Sequence, residues 1–305
     1  MRPVLRVAFA ETCILALACA GPPAPKPCSP ESAGVPLAYE VHAPDGAQTF
    51  LQGSMHLVRG EPPALHPRVV EGLRDSKVLV LEIDPSQATP QDVARVLMDM
   101  ALLPKGTSLR DVVSPDTWNL LESRAKSAHA DLEPLEIFEP WVVAMSLMIG
   151  SLTHVGFEAQ GGTERQALGE ASGKETLGLE TVTEQLQLFD ALSPEVQEEL
   201  LRSVLTGDLE SLDQLEDLAS AWRCGDTAGI ESVLHSEEYS HPELAAFYDA
   251  TIYARNPRMA AGIEKILGER GSGAFVIVGA AHLVGSRGIP ALLEQAGYRV
   301  EQMRR

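Results

Sequence analysis

Positive charge is scarce in this sequence. Its 305 residues carry 24 Lys and Arg against 43 Asp and Glu, a formal net charge of −19. Duplex binding relies on cation contacts to phosphate, and anionic lipid attracts basic segments. The deficit therefore argues against nucleic acid and against an acidic membrane surface as partners. Part of the excess falls in Ser193–Asp226, where nine acidic residues meet only Arg202 and Arg223. A solvated helical surface accounts for that run. Cysteines number four, and no CxxC pair suggests a zinc cluster or a disulfide framework. Past the N-terminus no apolar run reaches the roughly 20 residues of a spanning helix; Trp141–Leu152 is too short. A GxSxG elbow, a P-loop and an HExxH helix are all missing, and with them three common marks of a catalytic centre. The apolar share of 45% fits a globular chain and excludes whole-chain disorder, collagen and coiled coil. The length permits one large domain or two small ones and a sizeable core without staples.

The N-terminus reads as an address. Met1–Ala20 has Arg2 and Arg6 at its positive end and a short apolar core in Cys13–Ala20, as a secretory signal does. Ala18-Cys19-Ala20 fits a small-x-small cleavage site before Gly21, while Leu17-Ala18-Cys19 resembles a lipoprotein box that would place a lipid anchor on Cys19. Gly21–Gly34 holds five prolines in fourteen residues, so residues 21–36 are expected to be a semi-extended tether without packed structure. The expected location is exported, at the bacterial cell envelope, in the periplasm or lipid-anchored at a membrane. Export makes disulfides possible, and Cys28 and Cys224 are available to pair.

Strand signals sit near both ends of the remaining chain. Thr49–Leu51, Lys77–Ile83, Glu175–Leu179, Ala274–Val278 and Tyr298–Met303 are the candidates, with KVLVLEI and AFVIV apolar throughout, as in strands covered on both faces. Helical spacing fills Pro63–Ser76, Thr89–Leu103, Ser114–His129, Glu133–Ser151, Thr181–Ala191, Glu195–Leu205, Leu209–Cys224, Glu243–Arg255, Arg258–Leu267 and Ile289–Gln295. Pieces of two or three strands are not stable alone, so the ends must meet. The expected fold is α/β: a compact mixed sheet with strands from both chain ends, covered by helices, with a helical middle insertion.

One short pattern occurs twice. Gly53-Ser54-Met55-His56 follows the first strand, and Gly279-Ala280-Ala281-His282 follows the last strong one; Leu-Val and a second glycine come after each histidine. Glycine lets a chain turn sharply at a strand end, and ligands of open α/β sheets bind at that carboxyl edge. A single histidine there is most often structural; two matched copies point to a shared site. Glu82 ends VLVLEI, with Asp84 two residues on, and Glu180 ends LGLE. Acidic residues closing apolar strands are costly unless exposed at the rim or paired. Imidazole and carboxylate together suit a divalent transition metal with open positions for water. The other histidines (His42, His66, His129, His154, His235 and His241) lack a matched partner and read as surface or cap residues.

The chain resembles the TraB/GumN family, whose animal relatives are the Tiki proteases. The resemblance rests on GSMH at Gly53–His56, VLEID at Val80–Asp84, Pro140-Trp141, GLETVTEQLQLFDAL at Gly178–Leu192, Arg255-Asn256 and the run Phe275–Val300. It implies one domain over 37–303, an α/β fold related to the erythromycin-esterase and ChaN-like groups, and a metal-dependent peptidase activity using manganese or cobalt, with zinc an alternative. By the same resemblance His56, His282 and Glu82 hold the metal. Glu180 is a fourth ligand or general base, and Arg255 and Asn256 orient substrate or an oxyanion. Ala254 stands where the family usually has Glu, and Gly162-Thr163-Glu164 where it favours Gly-x-Asp. The expected function is a secreted or lipid-anchored hydrolase cleaving a peptide or small-molecule substrate with a metal-activated water. The alternatives are a non-enzymatic envelope protein binding haem, metal or a peptide signal, and a metal-free esterase-like hydrolase with a histidine base.

Overall fold

The apolar runs fold as strands and share one sheet. The computed structural model describes residues 28–55, 64–87, 89–157, 163–170, 173–207 and 212–305. The strands are β1 (Ala38–His42), β2 (Gln48–Ser54), β3 (Val78–Ile83), β4 (Glu175–Glu180), β5 (Ala274–Gly279) and β6 (Arg299–Gln302), in the order β4-β3-β5-β2-β1-β6. β4, β3, β5 and β2 pair in parallel, while β1 runs antiparallel to both β2 and β6. The sheet is thus mixed, and strands from both chain ends do meet. β1 escapes the sequence reading because Glu40 interrupts its apolar residues; Glu40 is buried and paired with Arg68 at 2.6 Å.

Helices cover both faces. On one face Val41, Leu51, Val80, Val276 and Val278 pack against Trp222, Ile230, Met259, Ile263 and Leu293 from the helices Leu212–Cys224, Thr227–Ser240, Asn256–Arg270 and Ile289–Gln295. On the other, Leu79, Leu81, Phe275 and Ile277 meet Val69 and Leu73 of Pro67–Asp75 and Ala167 of Thr163–Glu170. The helical middle has a core of its own around Trp141, Leu200, Leu201 and Leu244.

Three expectations change. The helix expected over Glu133–Ser151 begins at Pro140, after a 3₁₀ turn at Glu133–Leu135. Glu139 is extended (φ −57°, ψ 148°), the conformation proline imposes on its predecessor. The helix expected over Glu243–Arg255 is broken into a 3₁₀ turn, the turn Ala245–Tyr248 and a π-helical segment, Asp249–Tyr253. The helices Thr163–Glu170 and Thr227–Ser240 were not expected at all; Gly229 and few apolar positions weaken the signal of the second.

The tether is not free throughout. Cys28 and Cys224 form a disulfide, Gly34 N–H donates to Cys224 O at 2.8 Å, Arg305 N–H to Ala33 O at 2.9 Å, and Ala33 is buried. Backbone pairing and the cross-link hold this stretch against the helix Leu212–Cys224. The expected signal Met1–Ala20, including Cys19, lies outside the described residues. The described part contains no helix long and apolar enough to cross a membrane.

A cross-link joining residues 196 apart restricts the unfolded chain strongly. Reduction, or the double substitution Cys28→Ser and Cys224→Ser, is expected to lower the unfolding free energy by about 2–5 kcal/mol. Guanidinium unfolding of oxidised and reduced protein checks this; coincident midpoints would contradict it.

Candidate functional site

The parallel strands β4, β3 and β5 deliver their carboxyl ends side by side, and β2 ends opposite β5, with Ser54 across from Gly279. Glu180 closes β4, Glu82 stands one residue from the end of β3, and Gly279 closes β5. The chain then turns through the 3₁₀ segment Ala280–Leu283, which buries His282. Arg255 and Asn256 come in at the N-terminal end of the helix Asn256–Arg270.

Arg255 binds the cluster together. Its Nη2 donates to Glu82 Oε2 and Glu180 Oε2, both at 2.6 Å, and its Nε to Glu180 Oε2 at 3.0 Å. Its Nη1 donates to Thr251 O at 2.8 Å and faces His282 Nε2 at 3.2 Å. All five guanidinium N–H groups are thereby directed at acceptors. The π-helical turn just upstream presents the Thr251 carbonyl to Nη1; such insertions are frequent at functional sites. Arg258 adds a bond to Glu180 Oε1 at 2.5 Å and one to Glu184 Oε1 at 3.0 Å. Gln185 donates to Glu82 Oε2 at 3.1 Å and to Glu180 Oε2 at 3.3 Å.

The tautomer of His282 follows from its neighbours. Asn256 Nδ2 donates to Arg287 O at 2.7 Å, which turns the amide oxygen toward His282 Nδ1 at 2.6 Å. An oxygen acceptor there requires Nδ1–H, so Nε2 carries the lone pair. That nitrogen lies 3.8 Å from Glu82 Oε1, which itself accepts the Gly279 N–H at 2.6 Å.

Charge follows geometry. Burial pushes the Glu180 carboxyl up, but the hydrogen bonds and charge of Arg255, with bonds from Arg258 and Gln185, overcome this and hold it below the ordinary carboxylate range. Burial opposes the Arg255 cation, and the Glu180 and Glu82 carboxylates more than compensate, raising it above its usual value.

The structure brings together Glu82, Glu180, Arg255, Asn256 and His282. His56 lies outside the described residues. Glu180 has both oxygens bonded by arginines, Oε2 by Arg255 and Oε1 by Arg258, the environment of a counter-ion. The expected glycine roles also change. Gly279 has φ −53°, ψ 139°, open to any residue, and contributes its N–H. Gly53 lies inside β2, where an added Cβ would stand 3.1 Å from Leu37 O and 3.3 Å from Leu283 Cδ1. Asp84 turns its oxygens to Ser86 N and Gln87 Nε2, at 2.9 and 3.2 Å, and shapes the turn after β3. Gln185 and Arg258 were missed as site residues. Arg255 and Arg258 stand three apart at the start of one helix, a spacing that puts both on one face.

His282 Nε2 and Glu82 Oε1 are donors suited to a first-row divalent ion. Their separation of 3.8 Å is within twice the usual bond length of about 2.0–2.2 Å, so one ion can touch both. No group of three or more His, Cys, Asp or Glu able to hold a metal is found among the described residues. A cleft of about 400 Å³ opens beside Glu180 at the carboxyl ends of β3 and β4, lined by Asp84, Gly178, Thr181 and Glu184 among others.

Comparison with family models matches residues 37–302 to the TraB/PrgY/gumN family. Neither the curated proteins nor the solved structures offer a match.

Removing one partner of a buried ion pair costs about 3–5 kcal/mol, so Arg255→Met is expected to destabilise the protein by that order at pH 7. Held low in the folded state, the Glu180 carboxylate stabilises the native protein above its unfolded pKa, and this is lost as pH falls through the folded value. Without Arg255 the carboxyl protonates more readily, so the gap between variant and native protein should narrow between pH 7 and pH 4. Urea unfolding at both pH values measures it; a constant gap would assign the loss to packing.

Proposed function

This chain belongs to the TraB/PrgY/gumN family, and from that premise we propose that it is an exported metal-dependent hydrolase cleaving amide bonds in peptides. The observation carrying this reading is His282 Nε2, whose lone pair faces Arg255 Nη1, held 3.8 Å from Glu82 Oε1 at the carboxyl edge of the sheet. Manganese or cobalt, with zinc the alternative, would be held by His282, Glu82 and His56. When bound, such an ion supplies Lewis acidity to a scissile carbonyl and acidity to a water.

The chain's own residues do the rest. Asn256 holds the imidazole in the tautomer that keeps Nε2 available, the duty that second-layer partners perform at metal-binding histidines. Gly279 N–H and Arg255 orient the two oxygens of Glu82. Glu180 anchors Arg255 from below. Once Nε2 is engaged, the Arg255 Nη1–H that faces it loses its acceptor. It would then be free to donate to a substrate oxygen that gains negative charge, and donors aimed at such charge are worth several kcal/mol. Arg255 is therefore both positioning residue and oxyanion donor. The disulfide supports export, because such bonds persist in oxidising compartments.

The contact of Arg255 with Nε2 favours one second reading, a metal-free hydrolase in which His282 is the base. Metal content and peptide turnover of protein purified without chelator distinguish the two. His282→Ala and His56→Ala are expected to lose bound metal and nearly all turnover. Asn256→Ala is expected to lose about 10–100-fold in metal affinity or activity, largely recovered in Asn256→Asp. Unchanged metal in the double histidine variant removes the ligand assignment, and turnover surviving exhaustive chelation selects the metal-free base.

A further inference from the structure

A second cleft, of about 480 Å³, opens beside the chain that follows His282. Its floor is Val284–Arg287, the chain that leaves His282, and its walls include Glu231, Leu234 and Tyr253. Two contacts tie this floor to the cluster. Arg287 O accepts from the same Asn256 amide that orients His282, and the helix Thr227–Ser240, which carries Glu231, packs against the turn Ala280–Leu283. The lining of the cleft is thereby coupled to the turn that carries His282.

The charges of the cleft are unequal in their pairing. Arg287 is matched: its guanidinium pairs with Asp249 and lies 4.2 Å over the Tyr253 ring. Glu231 is half-buried and makes no ion pair with the described residues. It sits close against Gly285, where an added Cβ would come 2.5 Å from its Oε1. Gly285 has φ +76°, so both the backbone conformation and the close carboxylate require glycine there. The charge of Glu231 reaches Tyr39, whose hydroxyl is pushed up by burial first and then by Glu231 and Glu294; that hydroxyl donates to Leu283 O at 3.1 Å. Beside the carboxylate the lining is mixed: Leu234 and Val284 are buried and apolar and the Tyr253 ring adds to them, while His235, Ser286 and Arg287 are polar. A carboxylate without an ion partner among the described residues, set beside apolar surface, is complementary to a methylene stem with a cationic head. An acidic group would be repelled, and a purely apolar one would leave the half-desolvated carboxylate without a partner.

We propose that this cleft is the specificity subsite of the hydrolase and that it takes a basic side chain, Arg or Lys, next to the bond to be cleaved, with Glu231 as its counter-ion. The assignment of the occupant as substrate rests on the hydrolase reading; the binding preference does not. Two matched probes test it by calorimetry on the full chain at pH 7, Nα-acetyl-arginine amide and Nα-acetyl-norleucine amide. The arginine probe is expected to bind roughly tenfold tighter, about one decade of Kd, and more so at low salt. Glu231→Gln is expected to bring the two probes to within about twofold, while His282→Ala keeps the preference as turnover is lost. Equal affinities, no binding of either probe, or a preference unchanged by Glu231→Gln overturns the proposal. A hydrolase reading that fails would instead show as absent turnover with the arginine preference intact.

Discussion

Everything at the sheet edge depends on one half-buried cation, Arg255, between the buried Glu180 carboxylate and the half-buried Glu82 carboxylate. Glu82 and Glu180 end neighbouring parallel strands and turn their oxygens to the same point. Left alone, two carboxylates at that distance from bulk water would repel each other and at least one would take up a proton. Arg255 removes the conflict by bonding both, and its own desolvation is offset by them. A lysine could neutralise the charge but could not reach Glu82, Glu180, Thr251 and His282 from one planar group. The three charges are therefore a unit. None has a reason to leave water without the others.

The fold explains why the unit lies where it does. Four parallel strands put four carboxyl ends on one edge, and three of them supply the described cluster: an acid from β3, an acid from β4, an N–H from β5. The antiparallel hairpin β1–β2 and β6 extend the sheet away from this edge. The long helical middle returns the chain to the edge at Arg255, and the π-helical turn before it adjusts the arrival so that one carbonyl faces the guanidinium. The net charge of −19 gives no guide to this locality, where Arg255 and Arg258 meet Glu82, Glu180 and Glu184.

The parts of the molecule legible in the sequence are those governed by local pattern. VLVLEI and AFVIV identify β3 and β5 because a strand covered on both faces needs an unbroken apolar run. Ser114-Pro115 and Ser193-Pro194 mark helix starts because serine caps and proline at the first position share one geometry. The repeated GxxH was readable for the same reason, since each copy follows its own strand. Long-range pairing was not. Nothing in AYEVH announces that Glu40 is matched by Arg68 from another element. Nothing in LGLETVTEQ states that Gln185 reaches back to Glu82. The roles of Gly53 and Gly279 were misjudged because a strand-end glycine suggests a turn, whereas here one makes room for Leu37 and the other supplies an N–H.

The same distinction applies to the N-terminal stretch. Its prolines describe the backbone well, since residues 28–36 form turns and bends with no helix or strand. They do not describe its attachments. From the disulfide the chain runs to Leu37, whose N–H donates to Trp222 O at 3.0 Å, while the Trp222 indole donates to Gly53 O at 3.0 Å and Gly53 N–H to Leu37 O at 2.8 Å. Trp222, Leu37 and Gly53 thus close a ring of backbone and side-chain bonds around the end of β2, two residues from the disulfide at Cys224. A segment whose composition reads as a spacer is, over its last residues, a clamp on the strand that carries the first glycine-histidine motif. Its covalent fastening and the placement of that strand are one construction.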